Sequence, residues 1–228
     1  MRKLLIALIV LAALFVVVDR IAVVVAQNQI SDRIAASYGL PDKPDVTIAG
    51  FPFLTQVLQG DYGRVDVSVS KVPANGATLR QLRAHFRDVH ASLSQVLGKA
   101  SSTITADRAA GNAIVPFTAI DQRLPGGLKV RPDGKDLTVA GTVTYRGIRI
   151  PLNATLSLSA TGAGISVTPV HVNDPGLGLL PPSVFSQLGI VLPLSTLPLH
   201  LHLTSVLVTP GGLRIGAAAR HVHFAGAK

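Results

Sequence analysis

The residues of this chain best suited to chemistry lie near its C-terminus. Leu197, Leu199, Leu201 and Leu203 alternate with His200, His202 and Thr204, and beyond the turn Thr209-Pro210-Gly211-Gly212 the imidazoles of His221 and His223 alternate with Val222 and Phe224. With a loop of about two to four residues, His200 would lie opposite His221 or His223, so that the imidazoles share one face of a hairpin. Such a face has the donor type for a divalent metal. It is equally the wet side of a strand whose other side is a leucine row, where imidazole is ordinary. A third reading is a gain of charge below about pH 6.5, which strengthens contact with an anionic surface. The solvated reading is preferred, and no metal is assigned.

Other chemistry is poorly represented. The chain has no G-x-S-x-G elbow, no H-E-x-x-H, no Walker loop and no G-x-G-x-x-G in a strand-helix setting. No residue is assigned a catalytic role, and no cofactor is expected. Arginines recur on or near strands: Arg80, Arg83 and Arg87 together, Arg123 and Arg131 around a glycine turn, and Arg146 and Arg149 flanking Gly147. Most belong on solvated faces. Arg123, Arg131, Arg146 and Arg149 are the candidates for a phosphate group, to which a guanidinium gives two parallel hydrogen bonds.

A different kind of site is suggested by Gly50 to Gly60, where Phe51, Phe53, Leu54, Val57 and Leu58 crowd between two glycines. Pro52 cannot donate to a ladder, so Phe51 and Phe53 belong in a loop or at a sheet edge, and Thr55 to Gln59 can make one or two helical turns. These apolar side chains either plug a core or rim an apolar opening.

Composition limits the partners. The 228 residues carry a formal charge of +9, the twelve acids are all Asp, and Cys is absent, so neither disulfides nor thiolate metal sites are available. The charge favours an anionic partner. With three Tyr, seven Phe and no Trp, the chain lacks the aromatics of a base-stacking surface, and nucleic acid is not expected.

The N-terminus says where the protein works. Arg2 and Lys3 precede an apolar run from Leu4 to Val18, then Asp19-Arg20, then Ile21 to Ala26. Fifteen apolar residues make about 22 Å of helix, short of the roughly 30 Å hydrocarbon layer, but Leu4 to Ala26 would span with Asp19 and Arg20 near the outer interface. Residues 1–26 are thus a signal peptide cut after Ala26 or a retained signal-anchor; both remain open. In either case the basic start stays cytoplasmic and the body is exported.

The elements that must position these groups are mostly strands. Gln27 to Tyr38 continues the helix and ends at Gly39 and Pro41, making 27–44 a helical connector. From Val46 the period is two, with strands expected at Val46 to Ala49, Arg64 to Lys71, Ser102 to Asp107, Asn112 to Val115, Gly127 to Arg131, Lys135 to Tyr145, Ile148 to Ser159, Gly164 to Val172, Leu197 to Thr209 and Gly212 to Phe224. Thr78 to Leu97 fits both a helical stripe and a strand; the β-rich surroundings favour a strand to about Val89, then a short helix. Short helices are also expected at Pro116 to Leu124 and Pro182 to Leu188. No linker divides residues 45–228. The fold class is α+β, mostly β. So few helices cannot cover a long antiparallel sheet, so the sheet should curve around a helix or an apolar groove.

Four stretches resemble the actinobacterial LmeA-like phospholipid-binding family: Ile48 to Leu58, Thr105 to Gly111, Leu124 to Leu128 and Leu203 to Leu213. The resemblance covers nearly all of Asp45 to Val222. It implies an exported envelope protein that binds anionic phospholipid, phosphoinositides among them, and helps maintain lipomannan, with mannan-synthesis enzymes as possible partners. It also implies a tubular lipid-binding fold, in which a curved sheet wraps a helix and acyl chains. Residues 45–228 then form the lipid-binding domain, with Phe51, Phe53 and Leu54 as the lipid contacts the family signature carries over. The leucine-histidine alternation at Leu199 to His202 departs from the family pattern.

Overall fold

The computed structural model describes residues 2–74, 77–92, 104–122, 124, 127–145, 148–161, 164–172 and 201–224. No Gly or Pro interrupts the sequence before Gly39, and the chain forms one continuous helix, α1 (Arg2–Tyr38). The apolar run and the expected connector are therefore one rod of about 55 Å.

Among the described residues ten strands follow: β1 (Asp45–Ala49), β2 (Asp61–Ala74), β3 (Ala77–His90), β4 (Ile104–Val115), β5 (Lys129–Asp133), β6 (Asp136–Tyr145), β7 (Ile148–Thr161), β8 (Gly164–Val172), β9 (His202–Thr209) and β10 (Gly212–Phe224). Two short helices among the described residues, α2 (Phe53–Gln59) and α3 (Phe117–Asp121), interrupt them. One antiparallel sheet has the order β1-β2-β3-β4-β10-β9 and a second has β5-β6-β7-β8. The fold is mostly β, as the alternation predicts.

The particulars differ in instructive ways. The strands expected at Ser102 to Asp107 and Asn112 to Val115 are one strand, β4, which runs through Gly111. Thr78 to Val89 is strand, and the reason for its helical appearance lies in its backbone. Gln81 and Asp88 have φ of 51° and 53°, each adding one residue to the alternation as a bulge does. Leu79 and Leu82, and again Phe86 and Val89, consequently keep to the same side at a spacing of three, which imitates a helix. The short helices expected after Val89 and at Pro182 to Leu188 lie outside the described residues.

Packing groups the chain into two compact units. Unit 1 comprises Met1–Ser70, Arg83–Ala110 and Ala219–Lys228; unit 2 comprises Lys71–Leu82 and Gly111–Ala218. Every boundary falls inside a strand, so no linker or change of composition marks it. In unit 2, Leu128, Val130, Leu137, Val139 and Leu152 are buried with Leu213. Asp121, at the end of α3, ties that helix to the sheet by accepting the Val130 N–H at 2.7 Å. In unit 1, Val23, Ile48, Phe53, Tyr62, Val89, Ala91 and Ala106 form a separate core.

Candidate functional site: an apolar cleft beside the N-terminal helix

Unit 1 is built on the second half of α1. Asp19, Ala22, Val23, Ala26, Ile30 and Ser31 recur every three or four residues, which sets them on one side of the helix. Asp19, Val23 and Ser31 are buried, and Ala22, Ala26 and Ile30 pack against the unit 1 core. Ser31 Oγ donates to the carbonyl of Pro44 at 2.5 Å, fixing the chain as it turns toward β1.

The Phe-Pro-Phe segment docks on the same helix. Pro52 occupies the N-cap of α2 and provides no side-chain acceptor. Asp19 Oδ1 accepts the Leu54 N–H at 2.8 Å instead. Arg20 pairs with the other Asp19 oxygen, and its guanidinium lies 5.1 Å from the centre of the Phe51 ring. The far end of α2 closes on Gly60, whose φ of 78° is a left-handed C-cap, with its N–H donating to Gln56 O. Gly60 O accepts the Ala91 N–H at 2.8 Å, anchoring α2 to the end of β3.

The two phenylalanines have opposite fates. Phe53 is 3% exposed, with its ring 6.3 Å from that of Tyr62, and is a core residue. Phe51 is 60% exposed and Leu58 84% exposed. Val57 packs against the unit 1 core, and Leu54 is half-buried beside Asp19.

Between α1 and the sheet lies an apolar cleft of about 250 Å³. Ile30, Arg33 and Ile34 of α1 form one wall; Ile48, Tyr62, Val65, Val67, Phe86, Val89, Ala91, Ile104 and Phe224 form the rest. Phe86 meets Phe224 edge-on at 5.3 Å. Arg33 supplies the single charged side chain of this lining. None of Phe51, Phe53, Leu54, Val57 and Leu58 lines the cleft, although Phe53 and Val57 share the core with several residues that do. Val65 and Val67 were visible in the sequence as one face of an alternating strand. Ile34, Phe86 and Phe224 each fit the apolar pattern of their own segment, but their meeting in one wall carried no signal, because only folding brings three distant segments together.

The arginine and histidine candidates that fall among the described residues are dispersed. Arg123 and Arg146 lie outside the described residues. Arg131 is paired with Asp121 at 3.3 Å and donates to its neighbour's carbonyl, Val130 O. Arg131 stands opposite Thr138 and Arg149 opposite Thr144, a separation of about 20 Å along β6. They cannot grip one phosphate. Thr209 pairs with Gly212 across a two-residue loop, but the β9–β10 ladder ends at His202 opposite Ala218. His221 and His223 thus have no β9 residue facing them among the described residues, and His200 lies outside those residues. His202, His221 and His223 are exposed. No group of three potential metal ligands occurs among the described residues.

The profile of the LmeA-like phospholipid-binding family matches residues 17–218. No curated protein and no solved structure matches the chain.

Proposed function

The chain belongs to the LmeA-like phospholipid-binding family, and we propose that it is an exported envelope protein that holds an acyl chain of an anionic phospholipid in the unit 1 cleft. The observation that carries this reading is the cleft itself: an apolar hollow between a membrane-type helix and a sheet, with Arg33 in its lining. At about 250 Å³ it falls just below the ~300–1,000 Å³ of pockets that engulf small ligands. It therefore suits part of one chain, with the rest of the lipid outside. Each buried methylene contributes about 0.8 kcal/mol, and a basic residue near an anionic surface about 1 kcal/mol. Chain burial supplies the affinity, and the positive charge of Arg33 suits an anionic head group, of which the phosphoinositides are one class.

In this reading α1 is a retained anchor with a cytoplasmic N-terminus, and the body stands at the outer face of the plasma membrane. Cleavage after Ala26 would remove Val23 and Asp19 from unit 1. Losing a buried Val costs about 1.5 kcal/mol or more, and losing a helix cap about 1 kcal/mol. Support of lipomannan maintenance, and cooperation with mannan-synthesis enzymes, would follow from holding or presenting lipid there. The protein acts by binding and not by turnover.

The test is lipid extraction and native mass spectrometry of the full chain purified in detergent. One anionic phospholipid per chain is expected, and Ile34→Trp or Val65→Trp, which fill the cleft, should lose it while melting as the wild type does. A wild-type chain free of lipid, or full occupancy in both filled variants, overturns the proposal.

A further inference from the structure

Two lengths along α1 disagree, and the surface of unit 1 accounts for the difference. From Leu4 to Val18 the helix is apolar and exposed on all sides. Those residues cover about 22 Å of the roughly 30 Å of hydrocarbon in a bilayer, leaving ~8 Å unmatched. At Asp19 the helix is already bonded into unit 1 through the Leu54 N–H. Beyond that point its outward side remains apolar, because Ile21, Val24 and Val25 are exposed while Ala22, Val23 and Ala26 face the core. Polar sequence begins at Gln27. Asp19 to Val25 adds about 10 Å of helix, close to the shortfall.

We infer that unit 1 is sunk into the outer leaflet to this depth, so that Phe51, Leu58 and the outward side of Ile21 to Val25 contact lipid acyl chains. This rests on the reading of α1 as a membrane anchor. Phe51 lies beside Arg20 at the point where the helix enters unit 1, and Leu58 is one turn beyond Leu54, the residue bonded to Asp19. Phe51 adjoins the exposed side of α1 through Arg20, and Leu58, 84% exposed, lies on the short helix that follows it.

Charge in the apolar layer is tolerated here for a specific reason. Asp19 has no exposed surface and receives both the Leu54 N–H and the Arg20 guanidinium. Arg20 is half-exposed, lies over the Phe51 ring, and can extend its head toward water while its stem stays in the apolar layer. A paired charge such as Asp19, enclosed by its partners, is the kind that persists within membranes. The cleft wall then starts at Ile30, about 8 Å past Val25 along α1, near enough for an acyl chain to pass from the leaflet.

The chain contains no Trp, so single tryptophans report depth without background. Phe51→Trp, Leu58→Trp, Val10→Trp and Tyr38→Trp are compared in nanodiscs with and without brominated-acyl phospholipid. Tyr38 is 72% exposed and about 20 Å beyond Val25 along α1. Blue-shifted, bromine-quenched emission is expected at 51 and 58, as at 10, with water-like unquenched emission at 38. If position 10 is quenched while 51 and 58 behave like 38, the anchor stands and the embedding is wrong. If position 10 is also unquenched, both are wrong. Position 58 serves if the Phe51 variant fails to fold.

Discussion

Asp19 accepts the Leu54 N–H at 2.8 Å across 35 positions of sequence, doing for α2 what Pro52 at its N-cap cannot. A helix of one or two turns contributes little stability of its own. Its place depends on this carboxylate at one end and on Gly60 at the other. Asp19→Ala should cost about 1–2 kcal/mol, in the range of a lost cap. Asp19→Asn, which keeps an acceptor oxygen, should cost less. Denaturant titration in detergent, with hydrogen exchange at the α2 amides, reads both. Wild-type stability and exchange in the alanine variant would sink the capping role.

Tyr62 presents the opposite case, a buried polar atom without a partner. Its hydroxyl is enclosed and finds no hydrogen bond among the described residues. An unsatisfied buried hydroxyl costs about 1–3 kcal/mol, so Tyr62→Phe should leave stability unchanged or raise it. Truncation to Ala should cost about 3–5 kcal/mol through the cavity it leaves. Burial also pushes the phenol above its ordinary value. The folded chain then holds the proton longer than the unfolded one, and stability falls as pH rises above about 10. Absorbance titration of wild type against Tyr62→Phe checks this; a midpoint at the ordinary value would contradict it.

His90 supplies a pH dependence of the same sign near neutrality. Its Nδ1 meets Asp61 Oδ1 at 2.5 Å and its Nε2 lies 3.8 Å from Asp107. The Asp61 hydrogen bond raises the imidazole above its usual range, aided by the charges of Asp61, Asp107 and Asp88 and opposed by desolvation. The stabilising interaction is complete below about pH 6.5 and is lost as pH rises through the raised folded value. Half exposure keeps the effect small. Following the His90 ring protons by NMR should show a midpoint that drops in Asp61→Asn. An unmoved midpoint would assign the shift elsewhere.

Gly212 begins β10 under tight constraint. Its φ is 144°, and a Cβ there would stand 2.2 Å from the carbonyl oxygen of Val115. Backbone cannot yield as a flexible side chain can. Gly212→Ala should therefore destabilise unit 2 by about 3 kcal/mol, the upper end of overpacking. Gly211→Ala, where nothing lies within 4 Å, serves as the control. Equal melting temperatures for the two variants would refute the close approach.

Much of this protein was legible because its local pattern depends on adjacent residues alone. Alternation placed β6, β7, β8 and β10 within a few residues, since side chains on a pleated strand must take opposite sides whatever the partner. The unbroken apolar run announced α1, and Pro116 announced α3. Local pattern was ambiguous where the backbone departs from its period: left-handed residues at Gln81 and Asp88 gave β3 a helical disguise, and the β-rich surroundings decided for the strand. It could not show that Asp19 caps α2, that Phe53 goes inward while Phe51 stays out, or that Arg131 and Arg149 stand far apart. Nor could it assemble Ile34, Phe86 and Phe224 into one wall. Those outcomes are decided by contacts between segments distant in sequence, whose energies exist only once packing has chosen which surfaces meet. Periodicity determined the elements of this chain; the cleft, the buried carboxylate and the exposure of Phe51 and Leu58 were settled by tertiary structure.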